Sequence, residues 1–91
     1  MLKFKDGQEF ESVNVTEQRL FQDSTPCGWL LAITLTGNIT SEVVDEILTE
    51  ENISEITYGD VTITGYQSVN STVLYYAEDG VRADIQLSKG V

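Results

Sequence analysis

Carboxylates are the side chains in this sequence that come nearest to a catalytic set. The chain has 15 Asp and Glu residues, five Lys and Arg residues and no histidine. Two carboxylates can hydrolyse a glycosidic bond, but one of them needs a pocket that raises its pKa. The candidate pairs lie on the exterior of a predicted helix or in a turn, and they are Glu42/Glu46 and Glu50/Glu51. Because a 91-residue domain filled by its own side chains has little room for a pocket, we predict that the protein is not an enzyme.

Other residues that commonly carry catalysis or bind cofactors are scarce. Without histidine the chain lacks the commonest general base and the commonest ligand of transition metals. The single cysteine, Cys27, forms no zinc or iron–sulfur ligand set and has no histidine to activate it as a nucleophile. Neither G-x-G-x-x-G nor a phosphate-binding loop is present, and the Asp-Gly turns lack the alternating oxygen ligands of a calcium loop. We predict no cofactor and no metal.

The net charge of −10 restricts the possible partners. Phosphate backbones and anionic membrane surfaces repel such a chain, so we expect neither direct nucleic-acid binding nor membrane binding. The stretch between Asn38 and Asp60 contains no basic residue, and its seven acidic residues are Glu42, Asp45, Glu46, Glu50, Glu51, Glu55 and Asp60. Two interpretations stay open for this acidic stretch. It is either a solvated helix face that keeps the protein soluble or a surface that imitates a polyanion.

The acidic stretch coincides with the only predicted helix. Thr40 or Ser41 can cap its start, and Asn52 can end it because Asn tolerates the left-handed conformation. The apolar residues of this helix share one stripe, and they are Val43, Val44, Ile47 and Leu48. The hydrophobic period therefore predicts one amphipathic helix whose acidic side faces the solvent.

Alternating apolar residues predict strands on both sides of the helix. A three-residue loop with Gly7 in the left-handed conformation joins the first two strands, and the apolar phase then changes at Glu11-Ser12, which predicts a bulge there. Residues 17–28 are polar and are predicted to be a loop. From Trp29 to Thr36 the chain is the clearest strand. Gly59-Asp60 predicts a two-residue hairpin loop that sets Tyr58 opposite Val61.

The last two strands, Thr72–Ala77 and Val81–Ser88, are joined at Asp79-Gly80, but the register of this hairpin stays open. A two-residue loop buries Leu74 and Tyr76, whereas a three-residue loop buries the odd-numbered residues of the same strand. Either choice leaves an apolar strip that is a candidate contact surface. Together with the acidic helix residues, the candidate interaction surface consists of Glu42, Glu46, Glu50, Glu51, Leu74 and Tyr76.

These patterns predict a single domain over residues 1–91 with an α+β fold. The expected architecture is a mostly antiparallel β-barrel or sandwich of about seven short strands with one α-helix packed on it.

Four motifs carry a resemblance to a known group of proteins. In chain order they are Lys-Phe-Lys-Asp-Gly, the strand end Thr-Leu-Thr, Ser-Glu-Val-Val-Asp-Glu-Ile-Leu-Thr-Glu-Glu-Asn, and Ser-Glu-Ile-Thr-Tyr. Over Leu2–Tyr58 this order resembles small proteins of tailed bacteriophages and prophages of Gram-positive bacteria, whose genes commonly sit among tail or structural modules. The resemblance implies a tail-associated structural or assembly protein in the virion or the bacterial host cytoplasm. Its implied partners are other phage structural proteins or further copies of itself.

The acidic stretch supports a second hypothesis from another class. A surface of uncompensated carboxylates can imitate a nucleic acid and inhibit a host nuclease or transcription factor by occupying its basic groove. The residues alone do not decide between an assembly protein and such an inhibitor.

Overall fold

Seven strands and two short helices make up the fold, and the computed structural model describes residues 1–90. In chain order the elements are β1 (Leu2–Phe4), β2 (Glu9–Gln22), β3 (Thr25–Thr36), α1 (Ser41–Ile47), α2 (Glu50–Ile53), β4 (Glu55–Tyr58), β5 (Val61–Thr64), β6 (Ser68–Ala77) and β7 (Gly80–Lys89). Every pairing between neighbouring strands is antiparallel, in the order β5-β4-β1-β2-β3-β7-β6. The predicted α+β class with a mostly antiparallel sheet of seven strands is confirmed.

The sheet is open, so the prediction of a closed barrel is wrong. Its two edges are β5 and β6, and within residues 1–90 these strands do not pair with each other. Closing a sheet into a barrel requires its two edge strands to pair with each other, with tilted strands and a fixed stagger in register. Here β5 has four residues and β6 has ten, so most of β6 would stay unpaired even if the two edges met.

The long strand β2 connects the two parts of the sheet. Its first residues, Glu9 and Phe10, pair with β1, and the residues from Glu11 onward pair with β3. The register shifts between Ser12 and Asn14, just after this change of partner. The bulge predicted near Glu11-Ser12 is therefore confirmed, and it lies where the strand passes from one part of the sheet to the other.

Two tight turns agree with their sequence signatures. In the β1–β2 turn the N–H of Gly7 donates to the carbonyl of Phe4, and the N–H of Phe4 donates to Gln8, both at 3.0 Å. This is the predicted three-residue loop, with Gly7 at a φ of 93°. In the β4–β5 hairpin, Tyr58 lies opposite Val61, as the two-residue loop requires.

The prediction of a loop over residues 17–28 is wrong. Strand β2 continues to Gln22 and β3 already begins at Thr25, so the connection is the pair Asp23-Ser24. These two residues have φ values of 50° and 65°, and two positive φ values are what a type I′ hairpin turn needs. Most side chains of this hairpin are exposed, so it did not need the apolar alternation by which strands are recognised.

The helical region is also divided differently from the prediction. Thr40 caps α1, and Val44 and Ile47 are buried as expected, but the helix stops at Leu48, whose φ and ψ are −94° and 53°. A second short helix then begins, with Thr49 as its N-cap. The predicted helix end at Asn52 is wrong, because Asn52 lies inside α2 and is buried.

The core lies between the sheet and the helices. Strands β3 and β7 contribute alternate residues to it, as predicted, and the helical region contributes Val44, Ile47 and Ile53 to the same cluster. The buried apolar residues are Leu2, Phe4, Leu31, Ile33, Leu35, Ile39, Val44, Ile47, Ile53, Ile56, Tyr66, Ala83, Ile85 and Leu87. Tyr66 is fully buried although it lies in the segment that joins β5 to β6, so this connection also contributes to the core.

Candidate interaction surface

The six residues of the predicted interaction surface lie in two groups. The acidic group has two members on α1, Glu42 and Glu46, and two on α2, Glu50 and Glu51. The apolar group, Leu74 and Tyr76, lies on the edge strand β6. All six side chains are exposed.

The β6–β7 hairpin has a two-residue loop, which decides the register left open above, but the prediction of Asp79-Gly80 as the turn is wrong, because the loop residues are Glu78 and Asp79 and Gly80 already belongs to β7. Ala77 lies opposite Gly80, Tyr76 opposite Val81 and Leu74 opposite Ala83. Leu74 and Tyr76 therefore share the sheet face that carries the core residue Ala83. Nevertheless they are not buried: Tyr76 is 89% exposed and Leu74 is 37% exposed. The expectation that a two-residue loop buries this pair is wrong, because β6 is the last strand of the sheet and lies at the margin of the core.

Strand β6 is the longer of the two edge strands, and like β5 at the other edge it carries no charged residue. None of its ten residues is charged, although the chain has a net charge of −10. It also exposes four large apolar side chains, which are Val69, Val73, Leu74 and Tyr76. We call this strand, Ser68–Ala77, the β6 edge. Edge strands in soluble proteins are usually protected by charged residues, by proline or by a covering segment, and none of its own residues is of the first two kinds.

The β6 edge continues into a concave surface beside the start of α1. This concavity is lined by Ile39, Thr40, Ser41, Leu74, Tyr75, Tyr76 and Val81. Glu42 follows Ser41 directly, so the acidic helix begins next to the apolar strip. The two predicted groups are thus neighbours at this one position.

Two of the other acidic residues have local polar partners, and one of these partners, Lys5, offsets negative charge. Glu51 lies 3.9 Å from the ammonium group of Lys5, and Glu46 accepts a hydrogen bond from the side-chain amide of Gln8 at 3.4 Å. Both glutamates line a second concavity together with Lys5 and Asp6. This surface therefore includes a cation, which the sequence did not place among the acidic residues.

Glu42 is held in its charged form by the start of α1. Its carboxylate accepts hydrogen bonds from its own backbone N–H and from the hydroxyls of Thr40 and Ser41, and these bonds lower its pKa below the usual value. A carboxylate in the first turn of a helix also interacts favourably with the helix dipole. Glu42 thus contributes to the stability of α1, whether or not it binds a partner.

A further cluster, which the sequence patterns did not reveal, holds the β5–β6 connection in place. The hydroxyl of Tyr66 donates to Glu17 at 2.7 Å, and the ammonium group of Lys89 lies 4.6 Å from the centre of the Tyr66 ring. Lys89 also donates to the carbonyl of Thr64 at 2.6 Å. Burial and the hydrogen bond to Glu17 raise the pKa of Tyr66. These residues are far apart in sequence, so no local spacing could have indicated the cluster.

Metal ligation and membrane-spanning helices can each be assessed over the residues that the structure describes. Over residues 1–90 no three His, Cys, Asp or Glu side chains are grouped so that they could hold a metal ion. In the same range no helix is both long enough and apolar enough to span a bilayer. Cys27 is a free, exposed thiol on β3.

The fold and the surface define an α+β protein with an open seven-stranded antiparallel sheet and an uncharged, exposed edge. Comparison with known proteins adds no relative, since no protein-family model, curated protein or solved structure matches the chain.

Proposed function

We propose that this protein is a structural or assembly component that acts through protein–protein contacts and is not an enzyme. The tail module of a bacteriophage or prophage, which the sequence resemblance implies, is the proposed setting. The observation that carries the proposal is the β6 edge, which is uncharged, exposed and located at the open end of the sheet.

The physical reason lies in the unpaired backbone of an edge strand. A free edge presents N–H and C=O groups that can pair with a strand of another chain, and alternate side chains give such pairing its specificity. In this protein the edge also exposes Val73 and Tyr76, at 54% and 89%. Apolar surface of this kind favours contact with a partner over contact with water.

The proposal is tested by retention of virion proteins from phage-producing cells. The full chain is immobilised, and retained proteins are identified by mass spectrometry. We expect native protein to retain an identified virion protein or a second copy of itself. We expect the Tyr76→Lys variant to lose this binding. Gln86→Lys is the matched control, because it adds the same charge at an exposed position of β7, where a strand is paired on each side. Native protein that stays monomeric at high concentration and retains no virion protein would overturn the proposal.

A second candidate is inhibition of a host nuclease or transcription factor by imitation of a nucleic acid. It is supported by the exposed carboxylates of Glu42, Glu46 and Glu50, whereas the ammonium group of Lys5 beside Glu51 argues against it. Binding of this kind weakens steeply with salt. Replacing the four glutamates by lysine should abolish capture of a basic host protein. Capture that is unchanged by this replacement would eliminate the second candidate.

A further inference from the structure

We propose that the partner of the β6 edge is a second copy of this chain, paired antiparallel through a two-fold axis at Leu74. This inference rests on the proposed function, that the protein acts by contact, and names the partner of the same surface.

The first argument comes from the direction of the backbone groups on β6. Ala77 and Gly80 flank a two-residue loop and form the hydrogen-bonded pair that closes it. Hydrogen-bonded and non-hydrogen-bonded pairs alternate along an antiparallel ladder. The N–H and C=O groups of Thr72, Leu74 and Tyr76 are therefore directed away from β7, toward the free edge. These three residues provide a ready ladder for another strand.

The second argument concerns charge. Two molecules with a net charge of −10 repel each other, so a symmetric contact is favoured where charge is absent. The β6 edge contributes no charge of its own to such a contact. Beside the paired stretch, the carboxylate on β7 is that of Asp84, opposite Val73. Glu78 directly follows Ala77, and the two copies of Glu78 lie at opposite ends of the antiparallel pair. If two β6 strands pair, the β7 strands of the two copies are separated by three strand spacings, about 14 Å. This separation exceeds the screening length at physiological salt, which is about 8 Å.

The third argument fixes the register. The regular part of β6 runs from Ser71 to Ala77, between the register shift near Asn70 and the turn. Its midpoint is Leu74, so an axis there pairs all seven residues of this part. Moving the axis by one residue in either direction leaves five such pairs, because the pairing then runs into Asn70 or into Glu78.

The side chains agree with this register on both faces of the sheet. On the face that carries the core, Leu74 meets its own copy and Tyr76 meets Thr72 of the second copy. On the opposite face Val73 meets Tyr75. Tyr75 is already oriented, since its hydroxyl donates to Asp84 at 3.3 Å. Pairs of aromatic and β-branched residues are among the favourable cross-strand pairs, and no like charges face each other.

The test uses the full chain and measures its mass by sedimentation equilibrium over a range of concentrations. We expect native protein to form a dimer. Leu74→Pro removes an N–H that points to the free edge and therefore spares the ladder with β7, but it should raise the dimer dissociation constant by more than about tenfold. Thr62→Pro is the matched control. It removes the equivalent outward N–H on the opposite edge β5, where Thr62 follows the closing pair Tyr58–Val61, and it should leave the dimer intact.

Hydrogen exchange of the native chain provides a measurement that needs no variant. The amides of Thr72, Leu74 and Tyr76 should exchange rapidly in dilute protein and slow down at concentrations where the dimer forms. A dimer that survives Leu74→Pro, or that is lost in Thr62→Pro, would overturn the inference. Equal exchange rates of these three amides in monomer and dimer would also overturn the inference. Native protein that is monomeric but retains a virion protein sensitive to Tyr76→Lys would also overturn it, while leaving the proposed function standing.

Discussion

The side-chain amide nitrogen of Asn52 lies 2.8 Å from the carbonyl oxygen of Ile47 and donates a hydrogen bond to it. Ile47 is the last residue of α1, so this bond satisfies a carbonyl that the helix itself leaves free. The side-chain oxygen of Asn52 accepts from the N–H of Asp6, also at 2.8 Å. One buried amide thus connects the end of α1, the helix α2 and the β1–β2 turn.

Asn52→Asp should destabilise the fold by about 2–3 kcal/mol, because it removes the donor to Ile47 and sets a carboxylate oxygen against a carbonyl oxygen. Asn38→Asp is the matched control, since it makes the same chemical change at an exposed position and should alter the free energy of unfolding by less than about 0.5 kcal/mol. Urea denaturation at neutral pH measures both values. Equal losses for the two variants would mean that the Asn52 amide does not have this role.

Gly28→Ala should be among the most damaging small substitutions in the chain. An added Cβ at residue 28 would lie 2.5 Å from the carbonyl oxygen of Lys89, and the φ of 151° is also rare for other residues. We expect a loss of about 3 kcal/mol or more, from backbone displacement together with conformational strain. Gly37→Ala is the control, because Gly37 has a φ of 106° but open space around it, and it should lose only about 1–2 kcal/mol. Thermal unfolding of the two variants compares them, and a smaller loss at Gly28 would contradict the packing described here.

Tyr66 should make the folded protein sensitive to alkaline pH. Burial and the hydrogen bond to Glu17 raise its pKa above the ordinary value of 10.0. Above about pH 10 the unfolded chain releases this proton while the folded protein retains it, so stability should fall as the pH rises further. Below that pH the contribution of Tyr66 is fully present. Denaturation at a series of alkaline pH values, with tyrosinate absorbance recorded in parallel, measures the effect.

Tyr66→Phe should make the free energy of unfolding depend less on pH in the alkaline range. At neutral pH it should lower the free energy of unfolding by about 1–2 kcal/mol, because Glu17 loses the hydrogen bond from the Tyr66 hydroxyl. Tyr58→Phe removes a hydroxyl from a side chain that is 41% exposed, and it should change neither property appreciably. If the stability of Tyr66→Phe still fell at alkaline pH, the effect would belong to a group other than Tyr66.

The start of α1 depends on Thr40, whose hydroxyl accepts a hydrogen bond from the N–H of Val43 at 3.2 Å. Thr40→Ala should reduce stability by about 1 kcal/mol, as loss of an N-cap does. It should also raise the pKa of Glu42, because the Thr40 hydroxyl is one of the groups that lower it. Ser41→Ala keeps the N-cap and should preserve more of the stability. Carboxyl titration by NMR and urea denaturation provide the two measurements, and an unchanged Glu42 pKa in Thr40→Ala would contradict this assignment.

The parts of the fold that were predicted correctly have strong local signals. Gly7 and Gly59 mark turns through residues that allow positive φ, and the bulge after Glu11 appears as a change of apolar phase. Apolar alternation does not reveal a strand whose side chains are exposed on both faces of the sheet. The Asp23-Ser24 turn joins two polar strand ends, and neither of its residues is glycine, so the segment resembled a loop.

The sequence predicts which residues belong to the candidate interaction surface, but it does not predict how these residues are arranged in space. The apolar and acidic residues were identified from sequence, whereas the hairpin register was not, because both alternating sets of β6 are apolar. The uncharged composition of β6 was visible from the start, but it is informative only for an edge strand, and strand order is a tertiary property. The prediction that Asn52 ends the helix uses only the tolerance of Asn for the left-handed conformation, whereas its buried position depends on hydrogen bonds to Asp6 and Ile47 in other elements.

By itself the sequence determined which segments are strands or helix wherever apolar period and turn residues act over a few neighbouring positions, and it determined a net charge of −10 without a histidine. Only the tertiary structure decided that the sheet stays open, that Tyr66 is buried and that β6 forms an edge. The reason is that local propensity acts through the backbone of adjacent residues. Strand order and burial depend instead on contacts between segments that lie tens of residues apart.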